Sequence, residues 1–156
     1  MFEAMIKQTE PTTVAYIAMR GAYSQTPEGF SRLYGWVAEH GMQPTGMPYA
    51  VYYTSPADTP ESEALWELRA PVAGPSEKEP DSEGRGVKLV PAMTVASTTH
   101  IGPYDTIAPT YAALADWVSQ QGYRMAGPPA EYYYSDPKEV PPEEYVTEVQ
   151  FPVEKI

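Results

Sequence analysis

The stretch VTEVQFPV, Val146 to Val153, decides the fold, because the chain carries its relative LWELRAPV, Leu65 to Val72, 81 residues earlier. Each places a Glu in an apolar strand pattern and follows it, four residues on, with Pro-Val. Working outward, residues 12–72 align with residues 93–153 without a gap, and 19 of the 61 positions are identical. Among the pairs are Val14/Val95, Gly21/Gly102, Tyr23/Tyr104, Leu33/Leu114, Trp36/Trp117, Gly41/Gly122, Tyr52/Tyr133 and Glu67/Glu148. A repeat of this kind fixes the architecture before any single motif does. Copies of about 60 residues are marginal as independent folds, so the two are expected to pair as halves of one pseudo-twofold domain spanning the chain.

Each copy reads β-α-β-β. TTVAYIAMRG is β-branched and apolar and stops at a Gly, as a strand does. In TPEGFSRLYGWVAEHG, Thr26 reads as an N-cap, Pro27 as the first helical residue and Gly41 as the residue just past the helix. Phe30, Leu33, Tyr34 and Val37 make a helical stripe, matched by Tyr111, Leu114, Ala115 and Val118, with Pro109 near the second helix start. A Gly/Pro turn and an aromatic strand follow, YAVYY and AEYYY, then a polar loop and the Glu strand. The expected class is α+β: an antiparallel sheet of about eight strands with two main helices. AGPSEKEPDSEGRG, residues 73–86, is too polar to bury itself and reads as a linker between repeat one (12–72) and repeat two (93–153). TSPADTPESEA and SDPKEVPPEEY read as equivalent surface loops.

Composition narrows the function. The 156 residues hold 21 acids against 10 bases, a net charge of −11, which disfavours direct nucleic-acid binding and suits cationic small molecules or basic surfaces. Nothing approaches the ~20 apolar residues of a membrane span. The N-terminus has no basic region followed by an apolar core, so no signal peptide is read and a cytoplasmic location is expected. There is no cysteine, hence no disulfide and no thiolate. His40 falls in the last helical turn and His100 near a strand end; with no acidic residues at ligand spacing, neither a metal nor a cofactor is expected. Nucleophile-elbow, phosphate-loop and dinucleotide motifs are lacking.

The glutamates and the aromatics carry what chemistry there is. Burying an ionised carboxylate without a partner is costly. By strand alternation Glu148 sides with Val146 and Gln150, and Glu67 with Leu65 and Arg69, so helices on the more apolar face leave both pointing away. For Glu67 a surface carboxylate paired with Arg69 is the simpler reading; Glu148, among uncharged neighbours, is the better site candidate. Thirteen tyrosines and three tryptophans against three phenylalanines suit a half-wet pocket. Aromatic faces backed by a carboxylate bind organic cations. Trp36 and Trp117 lie at the margin of their stripes, where they could flank a groove between helix and sheet.

The duplicated β-α-β-β unit, HIGPYDTIAPTYAALADWVSQQG and the terminal TEVQFPV together resemble the GyrI-like small-molecule-binding family, from about Val14 to Val153. The resemblance implies two units about a pseudo-twofold axis with a ligand groove, as in the effector domains of multidrug-responsive MerR-type and AraC-type regulators. With no room for a helix-turn-helix, the chain resembles the standalone members. A lipophilic, possibly cationic, or electrophilic small molecule is the implied partner. The resemblance places Glu148, Trp117, Tyr133 and Tyr104 at the ligand, with Tyr23, Trp36, Trp66 and Glu67 as first-copy counterparts or neighbours. The alternative it implies is hydrolysis of electrophilic or strained molecules, with Glu148 as base or nucleophile and Tyr104 as hydroxyl donor. A second alternative is a module that modulates gyrase by protein contact. Trp66 stands where the second copy has Thr147, an asymmetry that would let one half supply charge and the other an aromatic wall. The oligomeric state is left open.

Overall fold

The computed structural model describes residues 2–56, 58–74, 78–135 and 138–156. Pro75, Ser76 and Glu77 of the expected linker lie outside the described residues, as do Ala57, Asp136 and Pro137 of the two polar loops. Elements run in the order β1 (Ala4–Gln8), β2 (Thr12–Arg20), α1 (Thr26–Glu39), β3 (Gln43–Pro44), β4 (Tyr49–Tyr52), β5 (Leu65–Ala73) and β6 (Arg85–Val90). The order continues with β7 (Thr94–Ile101), α2 (Ala108–Gln120), β8 (Tyr123–Met125), β9 (Ala130–Tyr133) and β10 (Val146–Lys155). The α+β class holds, with two helices and ten strands among the described residues where about eight strands were expected.

The chain divides into two compact units. Unit 1 joins the segment up to Thr9 with Met93–Ile156, and unit 2 is Glu10–Ala92. In unit 2 the strand order is β4-β5-β2-β6, with β3 beside the end of β5. In unit 1 it is β9-β10-β7-β1, with β8 beside the end of β10. Every pairing within the units is antiparallel.

The extra strands reveal an exchange. β6 precedes the second copy in the chain yet pairs with β2, the first strand of the first copy. β1 precedes the first copy yet pairs with β7, the first strand of the second. Lys88 lies opposite Val14, and Lys7 opposite Val95, the same register at the same 81-residue offset. The duplication therefore reaches back to residues 4–8 and 85–89, where Lys7/Lys88 is the one identity. Arg85 and Gly86, read as the end of the linker, are strand.

Helix α1 packs on β5 and β2, and α2 on β7 and β8. Unit 1 buries Ala96, Leu114, Val118, Val149, Phe151 and Val153 beneath α2, with Trp117 and Ile6 partly buried against them. In unit 2 Ile17, Leu33, Val37 and Leu68 are buried. The expected stripe of α1 is rotated: Trp36 is only 4 % exposed, while Phe30 and Tyr34 are half-buried. A large indole beside Leu33 and Val37 gains more by burial than the phenol it displaces. Thr26 is not the N-cap but the first helical residue; its hydroxyl donates back to the Tyr23 carbonyl at 2.7 Å, closing the short 3-10 turn Tyr23–Gln25 that precedes the helix. Gly41 and Gly122 take the left-handed φ of +69° and +81° that ends each helix, as expected.

Because side chains alternate, turning Val149 and Phe151 toward α2 puts Glu148 on the other face. It is nonetheless 7 % exposed. Lys7 Nζ donates to it at 2.6 Å, Ser97 Oγ at 2.6 Å, Tyr134 Oη at 2.5 Å and Gln150 Nε2 at 2.9 Å. Burial alone raises the pKa of this carboxyl, but the four donors together outweigh it and bring it down to about 2. Glu67 pairs with Arg69 at 2.5 Å, as the sequence suggested, and also with Lys88 at 2.9 Å, but at 6 % exposure it is not a surface carboxylate.

Replacing Lys7 by Ala leaves Glu148 short of its charged donor and is expected to destabilise the protein by about 1–3 kcal/mol in urea unfolding. The pH dependence has a defined sign. A carboxyl whose folded pKa is depressed stabilises the fold fully above its unfolded value, and loses that contribution as pH falls through the folded one. For Glu148 the window runs from 4.5 down to about 2. Glu148→Gln should flatten acid unfolding across that window, with lower stability at neutral pH.

Candidate functional site

The two copies make an internal control, since one fold is built twice. At five aligned positions on the helix-facing side, unit 2 is apolar or bare and unit 1 is polar: Met19/His100, Gly29/Thr110, Phe30/Tyr111, Ala50/Glu131 and Trp66/Thr147. In unit 2 this region is closed. Trp66 is 1 % exposed, and its Nε1 donates to the Gly21 carbonyl at 3.0 Å. Its ring meets Tyr23 edge-on at 5.4 Å and stacks with Tyr52 at 6.2 Å. A Cβ on Gly29 would come within 2.6 Å of Leu68 Cδ1 and 2.8 Å of Met19 Cε, so a larger residue there would have to push these side-chain ends aside.

In unit 1 the same region holds hydrogen-bonding groups. His100, 8 % exposed, has Nε2 3.0 Å from the Pro103 carbonyl and Nδ1 3.1 Å from Thr110 Oγ1. A carbonyl only accepts, so Nε2 carries a hydrogen, while Nδ1 and the Thr110 hydroxyl share the second hydrogen bond. Glu131 enters from β9 opposite Val149, on the face turned to α2. It is 9 % exposed and accepts from Tyr111 Oη at 2.5 Å and Tyr133 Oη at 3.2 Å. Burial pushes its pKa up; the hydrogen bonds from Tyr111 and Tyr133 and the nearness of His100 only partly offset this. Among the described residues no Lys or Arg forms an ion pair with it. Thr147 stands between Tyr133 on β9 and His100 on β7. It is wholly buried, and its hydroxyl has no hydrogen-bond partner among the described residues. Leaving such a group unsatisfied costs about 1–3 kcal/mol.

Aromatic rings stand over this polar cluster. Tyr104, 40 % exposed on the turn before α2, meets Tyr133 edge-on at 5.7 Å and stacks with Tyr145 at 5.0 Å. Burial raises the Tyr104 pKa, helped by Tyr145 and Glu131, so its hydroxyl stays protonated at neutral pH. The result is a set of phenol faces beside a carboxyl that, among the described residues, forms no ion pair with Lys or Arg.

The residues singled out from sequence distribute unevenly. Tyr104 and Tyr133 come together, but with Glu131 rather than Glu148. Glu148 lies on the opposite sheet face from Tyr133, so the pair Glu148 and Tyr104 does not converge. Tyr23 and Trp66 touch each other inside the closed region of unit 2. Trp36 is buried with its ring 4.5 Å from that of His40, instead of at a groove margin, and Trp117 packs on the unit 1 core. The sequence reading names neither Glu131 nor Tyr145 as site residues, weighs His100 only as a metal ligand, and places Tyr111 in the core stripe. The signal lay in the repeat itself: the positions where one copy is apolar and the other polar.

Among the described residues no group of three His, Cys, Asp or Glu could hold a metal ion, and no helix is long and apolar enough to cross a membrane. Comparison with known proteins gives a consistent picture. A DNA gyrase inhibitor of Erwinia billingiae (strain Eb661) is 31 % identical over 134 residues, which are 84 % of this chain and 85 % of that protein. The EcmrR C-terminal domain superposes with a TM-score of 0.79 at 22 % identity, over 99 % of both chains. EcmrR in a DNA complex reaches 0.85 at 23 % identity, covering 99 % of this chain but 58 % of that one, so this chain spans little more than half of EcmrR. SAV2435 bound to tetraphenylphosphonium reaches 0.60 at 13 % identity, over 97 % of this chain and 94 % of that one. The sequence profile of the GyrI-like small molecule binding domain matches residues 2–154, and the chain belongs to that family.

Proposed function

We propose that this small-molecule-binding protein takes a lipophilic organic cation in unit 1, against the faces of Tyr104 and Tyr133, with Glu131 as the countercharge. The observation that carries the reading is the five-position replacement between the copies. Unit 2 folds with Met19, Gly29, Phe30, Ala50 and Trp66 at these places, so the fold does not call for polar groups there. A buried carboxyl without a cation is a standing penalty, which a cationic ligand relieves. Phenol faces add cation–π attraction of roughly 0.5–2 kcal/mol in a desolvated site. Glu148 is the weaker candidate, because Lys7 already supplies its countercharge. The net charge of −11 favours approach of a cation. The tetraphenylphosphonium held by SAV2435 is a fitting first probe.

The test is a titration with tetraphenylphosphonium followed by calorimetry. Glu131→Gln should weaken binding at least tenfold, about 1.4 kcal/mol. Glu148→Gln, once shown to be folded, should change it less than threefold, about 0.7 kcal/mol. The reverse order would reject Glu131 as the countercharge, and recovery of a chemically altered probe would reject simple binding.

A pH dependence follows from the raised pKa of Glu131. The ionised form binds the cation, so affinity should rise with pH as Glu131 titrates above its ordinary 4.5, and binding should release a proton. Binding enthalpies in buffers of different ionisation enthalpy measure that proton. Glu131→Gln should remove both effects.

A further inference from the structure

Unit 2 contains, as a side chain, a picture of what unit 1 leaves unmade. Trp66 offers a flat indole to Tyr23 and Tyr52 and donates its N–H to the Gly21 carbonyl. The frame around that indole recurs in unit 1. Tyr23 and Tyr52 meet at 5.5 Å and 81°, and their counterparts Tyr104 and Tyr133 at 5.7 Å and 77°. Gly21 N–H donates to the Ala64 carbonyl at 2.9 Å, and Gly102 N–H to the Tyr145 carbonyl at 2.8 Å. Both glycines take positive φ, +92° and +134°, so the turn that presents the carbonyl is kept. Gly21 O accepts the indole N–H; among the described residues nothing donates to Gly102 O.

Two substitutions remove the indole from unit 1. Thr147 replaces Trp66, and its buried hydroxyl is left without a partner. Tyr145 replaces Ala64, and its half-buried ring lies stacked on Tyr104. The two pairs have nearly the same summed side-chain volume, but Tyr145 lies stacked on Tyr104, whereas Trp66 meets Tyr23 edge-on. Glu131 lies two cross-strand pairs along from Thr147, on the same face.

We infer that the ligand of unit 1 carries a planar N–H heteroaromatic ring, which displaces the Tyr145 ring and takes the place that Trp66 holds in unit 2. Its N–H is donated to the Gly102 carbonyl, its face lies against Tyr104 and Tyr133, and the Thr147 hydroxyl meets its edge. A cationic arm on that ring reaches Glu131. This rests on the binding reading above and narrows its ligand class to aromatic amines with a ring N–H donor.

The experiment uses tryptamine, which has both the ring N–H and an ammonium, and 1-methyltryptamine, which lacks the N–H donor. Tryptamine should bind the full chain at least tenfold more tightly than its methylated analogue. Tyr145→Ala, which restores the unit 2 residue, should raise tryptamine affinity severalfold, since no ring need be displaced. Thr147→Trp should abolish tryptamine binding, with circular dichroism confirming its fold; the methylated pair and Tyr145→Ala decide the matter even where this variant does not fold. Equal affinity for the two amines, or lowered affinity in Tyr145→Ala, overturns the inference. If tetraphenylphosphonium still binds in a Glu131-dependent way, that failure leaves the binding reading intact. If neither amine nor tetraphenylphosphonium binds, the binding reading itself fails, and this inference with it.

Discussion

A carboxylate set into the middle of a sheet needs a cation within reach, and in each unit that cation comes from the strand leading into the other repeat. Lys7 on β1 meets Glu148 in unit 1, and Lys88 on β6 meets Glu67 in unit 2. The contact does more than neutralise charge. It fixes the register of the exchanged strand, because a slip of one residue would turn the lysine to the opposite face. It also covers the first strand of each repeat, β7 or β2, which would otherwise be an unpaired edge. The repeated Glu at the heart of VTEVQFPV and LWELRAPV is, on this view, half of a structural pair.

Both glutamates are paired within the frame, and it is on the helix-facing side that the two copies diverge. Unit 2 answers a position in its core with Trp66, which packs on two tyrosines and satisfies its own N–H. Unit 1 answers the aligned position with Thr147, unsatisfied, beside a carboxyl that burial pushes toward neutrality. Packing alone would favour the first solution. On the proposed reading, the second leaves these groups to a ligand.

Much of the fold was legible in the sequence because its signals are local. Gly41 and Gly122 end the helices, Pro27 and Pro109 stand in their first turns, and an 81-residue offset ties the copies together. The strand exchange was not legible: β1 and β6 are short, share one identical residue, and pair with strands their position in the chain does not suggest. Alternation placed Glu148 on the face away from the helix, but the donors that bury it come from β1 and β7 as well as from its own strand. Tyr104 and Tyr133 were picked out for their chemistry. Glu131 was passed over because AEYYY reads as a half-exposed aromatic strand, and only its pairing with Val149 shows that it points inward.

The exchange also orders events during synthesis. Unit 2 is contiguous in the chain and can close as soon as β6 has been made. β1, which precedes all of unit 2, has to wait for β7, more than eighty residues later. Until then the free edge of β2 presents the register that β6 will occupy, and β1 carries the matching lysine at the matching place. A nascent chain can thus form a plausible but wrong ladder, β1 on β2, which the arrival of β6 must displace. The duplication thus gives the growing chain two strands of matching register that could pair with β2.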